Sequence, residues 1–132
     1  DPLHVSPEDD LVQAVTMMAM NNVRHLPVIN RYGRAVGMLS EPDLRVALRA
    51  VAMGTQAPCD EVRQVAVAMS RPSVCHPDDS IFDVAARFVD ERLGTVAVVD
   101  DDERLVGVIS YIDLLRYLFG GARQPSAPPS DL

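Results

Sequence analysis

The chain has 132 residues, a formal charge of −7 and 48% hydrophobic residues, enough to bury a core without disulfide staples. An acidic balance disfavours a nucleic-acid backbone or an anionic lipid surface, because basic stripes hold those partners; neither is expected. No apolar run is long enough to span a bilayer, no charged-then-apolar leader opens the chain, and Cys59 and Cys75 fit no metal-ligand spacing. They read as reduced thiols, with a bridge between them left open, and the expected compartment is the cytoplasm.

In chain order, Leu3 to Val5 forms a short extended piece, and Pro7 blocks helix before an acidic start. Leu11, Ala14, Val15, Met18 and Ala19 keep the i, i+3, i+4, i+7, i+8 spacing of one helix face. Leu26 to Ile29 is a β-rich run, Asn30 to Arg34 a polar turn, and Val36 to Leu39 the returning strand, whose unbroken apolar character predicts burial on both faces. A second helix starts at Ser40 and turns Leu44, Ala47, Leu48 and Val51 inward. Met53 to Cys59 is a connector, and Asp60 caps a linking helix that carries Val62, Val65, Ala66 and Met69 on one face.

The same order then returns. Val74-Cys75 is extended, and Pro77 precedes a helix marked by Ile81, Val84, Ala85, Phe88 and Val89. Strands at Val96 to Val99 and Leu105 to Ile109 flank the acidic turn Asp100 to Arg104. A last helix from Ser110 buries Leu114, Tyr117 and Leu118 and stops at Gly120-Gly121. Arg123 to Leu132, rich in Pro and Ser, is expected to be disordered.

The echo is a duplication without gaps at an offset of seventy residues. Pro7-Glu8-Asp9 falls on Pro77-Asp78-Asp79, Gly37-Met38-Leu39-Ser40 on Gly107-Val108-Ile109-Ser110, and Asp43-Leu44 on Asp113-Leu114. We expect a first repeat over 1–53, a linker helix and second repeat over 54–119, and a tail over 120–132. Asp1-Pro2 aligns with Arg71-Pro72, so the counterpart of Val62 to Ser70 falls before the first residue, which suggests a piece of a longer protein. The expected fold is α+β, with two pseudo-symmetric β-α-β-β-α repeats packed sheet to sheet and clefts at their junction.

The polar residues that recur are Gly-x-x-Ser-x-x-Asp, at Gly37, Ser40 and Asp43 and again at Gly107, Ser110 and Asp113. Ser followed three residues later by an acid is a capping box, which alone would account for both residues. A hydroxyl at a helix N-terminus also offers N–H groups and a dipole to an anion, while a carboxylate one turn in can accept both hydroxyls of a ribose; together they suit a nucleotide. Arg24 and His25 give the first copy a cation that Gly94 and Thr95 withhold from the second. Glu41 and Pro42 act the other way, adding charge and removing an N–H at the first helix start.

His4, His25, His76 and the cysteines do not form a metal set, since Cys75 and His76 point opposite ways along a strand. Met17, Met18 and Met20 read as core filler, and Asp100 to Glu103 as a turn. No nucleophile has a base at motif spacing, and neither a Walker-type loop nor a zinc-hydrolase motif occurs, so no enzyme is expected.

On Gly-h-h-Ser-x-x-Asp in both copies and Arg24-His25-Leu26-Pro27-Val28 in the first, the chain from Pro2 to Leu118 resembles a tandem pair of cystathionine β-synthase (CBS) domains, a Bateman module. The resemblance implies adenine nucleotides or S-adenosylmethionine as regulatory ligands in clefts between the copies, with no required cofactor. It implies that Asp43 and Asp113 hold ribose and that Ser40 and Ser110 contact phosphate. Val5-Ser6, His25-Leu26-Pro27, Cys75-His76 and Thr95-Val96-Ala97, with Met38 and Val108 beside them, would enclose the base. The expected function is an allosteric sensor of an adenosine ligand acting on a partner or attached domain, assembled as a homodimer; a ligand-free dimerisation module is the alternative.

Overall fold

The computed structural model describes residues 2–53 and 64–120. The expected Asp60 cap, Val62, the Met53 to Cys59 connector beyond Met53, Cys59 and the Arg123 to Leu132 tail lie outside the described residues.

In the first copy, α1 (Leu11–Asn21) leads to the antiparallel pair β1 (His25–Ile29) and β2 (Ala35–Ser40), and then to α2 (Glu41–Ala52). One turn of helix, α3 (Val65–Ala68), precedes the second copy. There β3 (Val74–Cys75) runs parallel to β4 (Thr95–Val99), which pairs antiparallel with β5 (Leu105–Ser110); α4 (Ile81–Glu91) and α5 (Tyr111–Gly120) take the places of α1 and α2. The result is a mixed α/β fold with two small sheets. The extended piece at Val5 makes only a single parallel bridge to Val28, whereas its counterpart is a strand.

Local chemistry sets these boundaries. Asp10 accepts from Val12 N–H (2.7 Å) and its own N–H bonds the Gln13 side chain (3.2 Å), while Ser80 accepts from Phe82 N–H (3.2 Å). Both first helices end in the left-handed region, at Asn22 (φ 53°) and Arg92 (φ 55°). Both hairpins carry an irregularity at the same place, between Val28 and Ile29 and between Val98 and Val99. At each acidic or polar turn an Asn30 or Asp100 side chain accepts two backbone N–H groups, so the Asp100 to Glu103 run is indeed a turn.

The copies meet at these turns. Ala35 donates to the Glu103 carbonyl (3.1 Å) and Leu105 to the Gly33 carbonyl (2.9 Å), a pair of bonds related by the offset of the repeat.

Each copy has its own core. Leu11, Ala14, Met18, Leu26, Val28, Leu39 and Leu44 close the first around Val5 and Val65; Cys75, Val84, Phe88, Val96 and Leu114 form the second. Several expectations need correction. Ala19, Met20 and Val89 are exposed, because the inward stripe of α1 and α4 ends at Met18 and Phe88. The linking helix stops before Met69, whose extended backbone delivers Ser70 into a ladder with Met38. Most tellingly, α3 packs on β2, whereas among the described residues no helix lies in that place over β5, where Val106 is 48% exposed and Tyr117 64%.

Gly37 belongs to that cover. A Cβ there would stand 2.5 Å from Met69 Sδ and 3.2 Å from Met69 Cβ, so Gly37→Ala must turn the Met69 side chain aside and shift its backbone slightly away from β2. We expect a loss of about 1–3 kcal/mol of stability, read from urea unfolding with an unchanged m-value.

Candidate functional site

Each candidate site grows from a strand that ends where a helix begins. Ser40 has extended backbone and caps α2, its Oγ accepting from Asp43 N–H at 3.2 Å. The next N–H, that of Glu41, bonds the Arg24 carbonyl (2.9 Å), and the strand register sets His25 opposite Ser40. Arg24, His25, Ser40 and Asp43 are thus gathered at one corner. The second copy repeats the device: Tyr111 N–H bonds the Gly94 carbonyl (2.9 Å), and Thr95 lies opposite Ser110.

The two corners differ in how their polar groups are occupied. Ser110 and Asp113 form a complete capping box, with Asp113 N–H to Ser110 Oγ and Ser110 N–H to Asp113 Oδ2, both at 3.1 Å. Among the described residues the return bond has no equivalent at Asp43. Its side chain instead borders an apolar groove of about 300 Å³, walled by Val46, Ala47, Ala50 and Val51 of α2 and by Val67 and Ala68 of the linker. Sequence reading had not placed Val67 and Ala68 at a site. Their signal was the lead-in itself, whose docking onto the first copy no local pattern reveals.

Thr95 carries the second copy's unusual feature: it is 7% exposed, and its Oγ1 has no hydrogen-bond partner among the described residues. An orphaned buried hydroxyl is costly. His25, its counterpart, is half-buried, and its ring reaches the other copy, where a Cβ on Gly94 would lie 3.0 Å from both Cε1 and Nε2. The glycine leaves room for the imidazole.

Other predicted residues are placed as follows. Ser6 N–H bonds the Asp9 carboxylate (2.9 Å), in the turn that follows Val5. Leu26, Pro27, Val96 and Ala97 are buried strand residues that offer apolar wall and backbone; Met38 is buried and Val108 half-buried. Cys75 lies inside the second core as a free thiol, its pKa raised by burial and by Asp79, with Arg87 opposing. His76 is exposed with its N–H on Asp79 (2.9 Å), so the two do point apart. Among the described residues no group of three or more His, Cys, Asp or Glu could hold a metal, and no helix is long and apolar enough to cross a membrane.

Burial lowers the His25 pKa below its ordinary 6.5, with the Asp43 charge opposing. A base whose folded pKa is depressed takes up fewer protons folded than unfolded, so its contribution is complete above pH 6.5 and is lost as the pH falls. We expect the melting temperature to fall from pH 7 to pH 5 by less in His25→Gln than in the parent, measured by calorimetric scans in matched buffers.

Comparison with known proteins places this geometry. Relatives include L-aspartate semialdehyde sulfurtransferase of Methanocaldococcus jannaschii, 26% identical over 92% of this chain and 22% of that protein. The 5′-AMP-activated protein kinase subunit gamma-3 of Sus scrofa is 27% identical over 82% of this chain and 21% of its own length. The chain therefore spans about a fifth of these relatives. Among solved structures, the CBS domain pair of protein MJ0100 in complex with 5′-methylthioadenosine and S-adenosyl-L-methionine superposes with a TM-score of 0.75 at 26% identity, covering 92% of this chain and 90% of the other. CBSX2 in complex with AMP shares the fold with a TM-score of 0.77 at 22% identity, covering 91% and 89%. The CBS domain family matches residues 1–50 and 62–120, and the chain belongs to it as a tandem pair.

Proposed function

We propose that this CBS pair is a regulatory module without catalytic activity that binds an adenosine-containing ligand, an adenine nucleotide or S-adenosylmethionine, at the Ser40–Asp43 and Ser110–Asp113 corners. The observation that carries the reading is the duplication of one arrangement: a hydroxyl and a carboxylate at a helix N-terminus, stapled through the first helical N–H to the strand that enters the same corner. Helix N–H groups and dipole suit phosphate or sulfonium-bearing carboxylate, and a carboxylate one turn in suits the ribose diol. Thr95 Oγ1, buried and unpartnered, supplies a further polar atom at the second corner. The MJ0100 pair, with its two adenosine compounds, supports the ligand class. Arg24 gives the first corner its fixed cation, since burial lowers the His25 pKa, with the Asp43 charge opposing.

A ligand at either corner favours one arrangement of the copies, and an attached domain or partner responds; such couplings are typically about 1–3 kcal/mol. The complete capping box at Ser110–Asp113 favours the alternative for that corner, a purely structural role in which the pair only starts a helix. Titration calorimetry with AMP, ADP, ATP and S-adenosylmethionine separates the two. Asp43→Ala and Asp113→Ala should each weaken binding by about 1.5–3 kcal/mol for every charge-assisted bond lost, while stability falls by about 0.5–2 kcal/mol at most. Unchanged affinity with a lowered melting temperature would leave only the capping role.

The module is also proposed to be a cytoplasmic homodimer joined through its helices. Val46 of α2 and Phe119 of α5 are 71% and 81% exposed. Such apolar surface on two helices calls for a partner. Sedimentation at micromolar concentration should show a dimer with and without ligand; a monomer in both would refute it.

A further inference from the structure

The repeat lets the two corners be compared position by position. A helix start leaves its first N–H groups without partners inside the helix, and these are what it offers an anion. On α2 that offer is already taken. Glu41 N–H bonds the Arg24 carbonyl (2.9 Å), Asp43 N–H bonds Ser40 Oγ (3.2 Å), and Pro42 between them has no N–H at all. Ser40 N–H stands where its counterpart in the second copy bonds the Asp113 carboxylate, so an anion placed there would meet Asp43. Glu41 and Asp43 together make this first turn acidic.

On α5 one donor is left over. Tyr111 N–H bonds the Gly94 carbonyl and Asp113 N–H bonds Ser110 Oγ, but Ile112 N–H, at the position of Pro42, has no acceptor among the described residues. Asp113 is the acid of this first turn, where α2 has two. Thr95, at the position of His25, adds a buried hydroxyl that lacks a partner among the described residues.

The wall beside Asp43 differs from a phosphate site in the same sense. Its groove of about 300 Å³ is built from valine and alanine side chains of α2 and the linker, which have no donor for an anion. That volume is at the lower end of small-molecule sites. Cations do not decide between the corners. Arg24 serves the first, while Arg116, seventy residues on from Val46 and on the same side of α5 as Asp113, serves the second; both are exposed.

We propose that the two corners divide the adenosine ligands between them: the first, through Pro42 and its apolar groove, takes a nucleoside without phosphate whose 5′ substituent is apolar, and the second, through Ile112 N–H, takes a phosphorylated one. This rests on the reading above that both corners hold adenosine compounds, and makes Pro42 the residue that sets specificity at the first.

Calorimetry on variants that each lose one ribose carboxylate reads the corners separately. With the second disabled by Asp113→Ala, 5′-methylthioadenosine should bind about tenfold or more tightly than AMP, and with the first disabled by Asp43→Ala the order should reverse. Pro42→Ala added to the Asp113→Ala chain supplies an N–H and should tighten AMP about tenfold while leaving 5′-methylthioadenosine within about twofold; a merely structural effect would move both ligands alike. Ile112→Pro in the Asp43→Ala chain should weaken AMP by a similar factor without lowering the melting temperature, because the first turn of a helix tolerates proline. Equal affinities for the two ligands at each corner, or a Pro42→Ala effect shared by both ligands, would overturn the division while leaving adenosine binding intact. If neither ligand bound the parent chain, that reading would be refuted and the division with it.

Discussion

Two backbone hydrogen bonds between the hairpin turns, Ala35 to Glu103 and Leu105 to Gly33, set the register on which the rest of the molecule depends. The residues that accept them, Gly33 and Glu103, take positive φ in their hairpin turns, 82° at the glycine and 64° at Glu103. The second copy accepts that conformation on a residue with a side chain, at a cost of about 1–2 kcal/mol. Each bond contributes only about 0.5–1.5 kcal/mol net, so their role is alignment more than adhesion. Since the bonded atoms are backbone, side chains in the two copies were free to diverge without losing the pseudo-twofold relation. His25 reaching Gly94 follows from it.

Within each copy the hydrophobic period was a reliable guide, because helices and strands bury their faces against elements of the same repeat. Leu11, Ala14 and Met18, and Val84 and Phe88, lie where their spacing puts them. The guide failed where burial depends on a neighbour outside the repeat. β2 and β5 are nearly the same string of apolar residues, yet among the described residues β2 is the more buried, since the linker covers it. Tyr117 fits the inward stripe of α5 but faces solvent for the same reason.

The candidate corners were legible as a Ser and an Asp seen twice, while their differences were not. A sequence shows that Ser110 and Asp113 can form a capping box, but only the fold shows that both bonds are made there and one at Ser40–Asp43. Nor does a threonine at a strand start announce that its hydroxyl will be sealed from solvent without a partner. Both properties arise from strand register and burial, which are set across tens of residues.

These differences bear on how the corners can be used. On the proposed reading, a diol entering the second would compete with the Ser110 N–H for the Asp113 carboxylate, so part of its binding energy would replace a bond already made. Thr95 would work in the opposite sense, since its hydroxyl, unpartnered among the described residues, would gain a bond. At the first, Asp43 has no comparable internal bond among the described residues, but its charge lies near half-buried His25, whose protonation burial opposes. A ligand that takes up the Asp43 carboxylate withdraws the interaction that favours the imidazolium, and by linkage makes His25 harder still to protonate. On that reading the two corners of one repeated motif differ in what a ligand would meet: at the second a carboxylate already hydrogen-bonded beside a buried hydroxyl, and at the first a carboxylate beside half-buried His25.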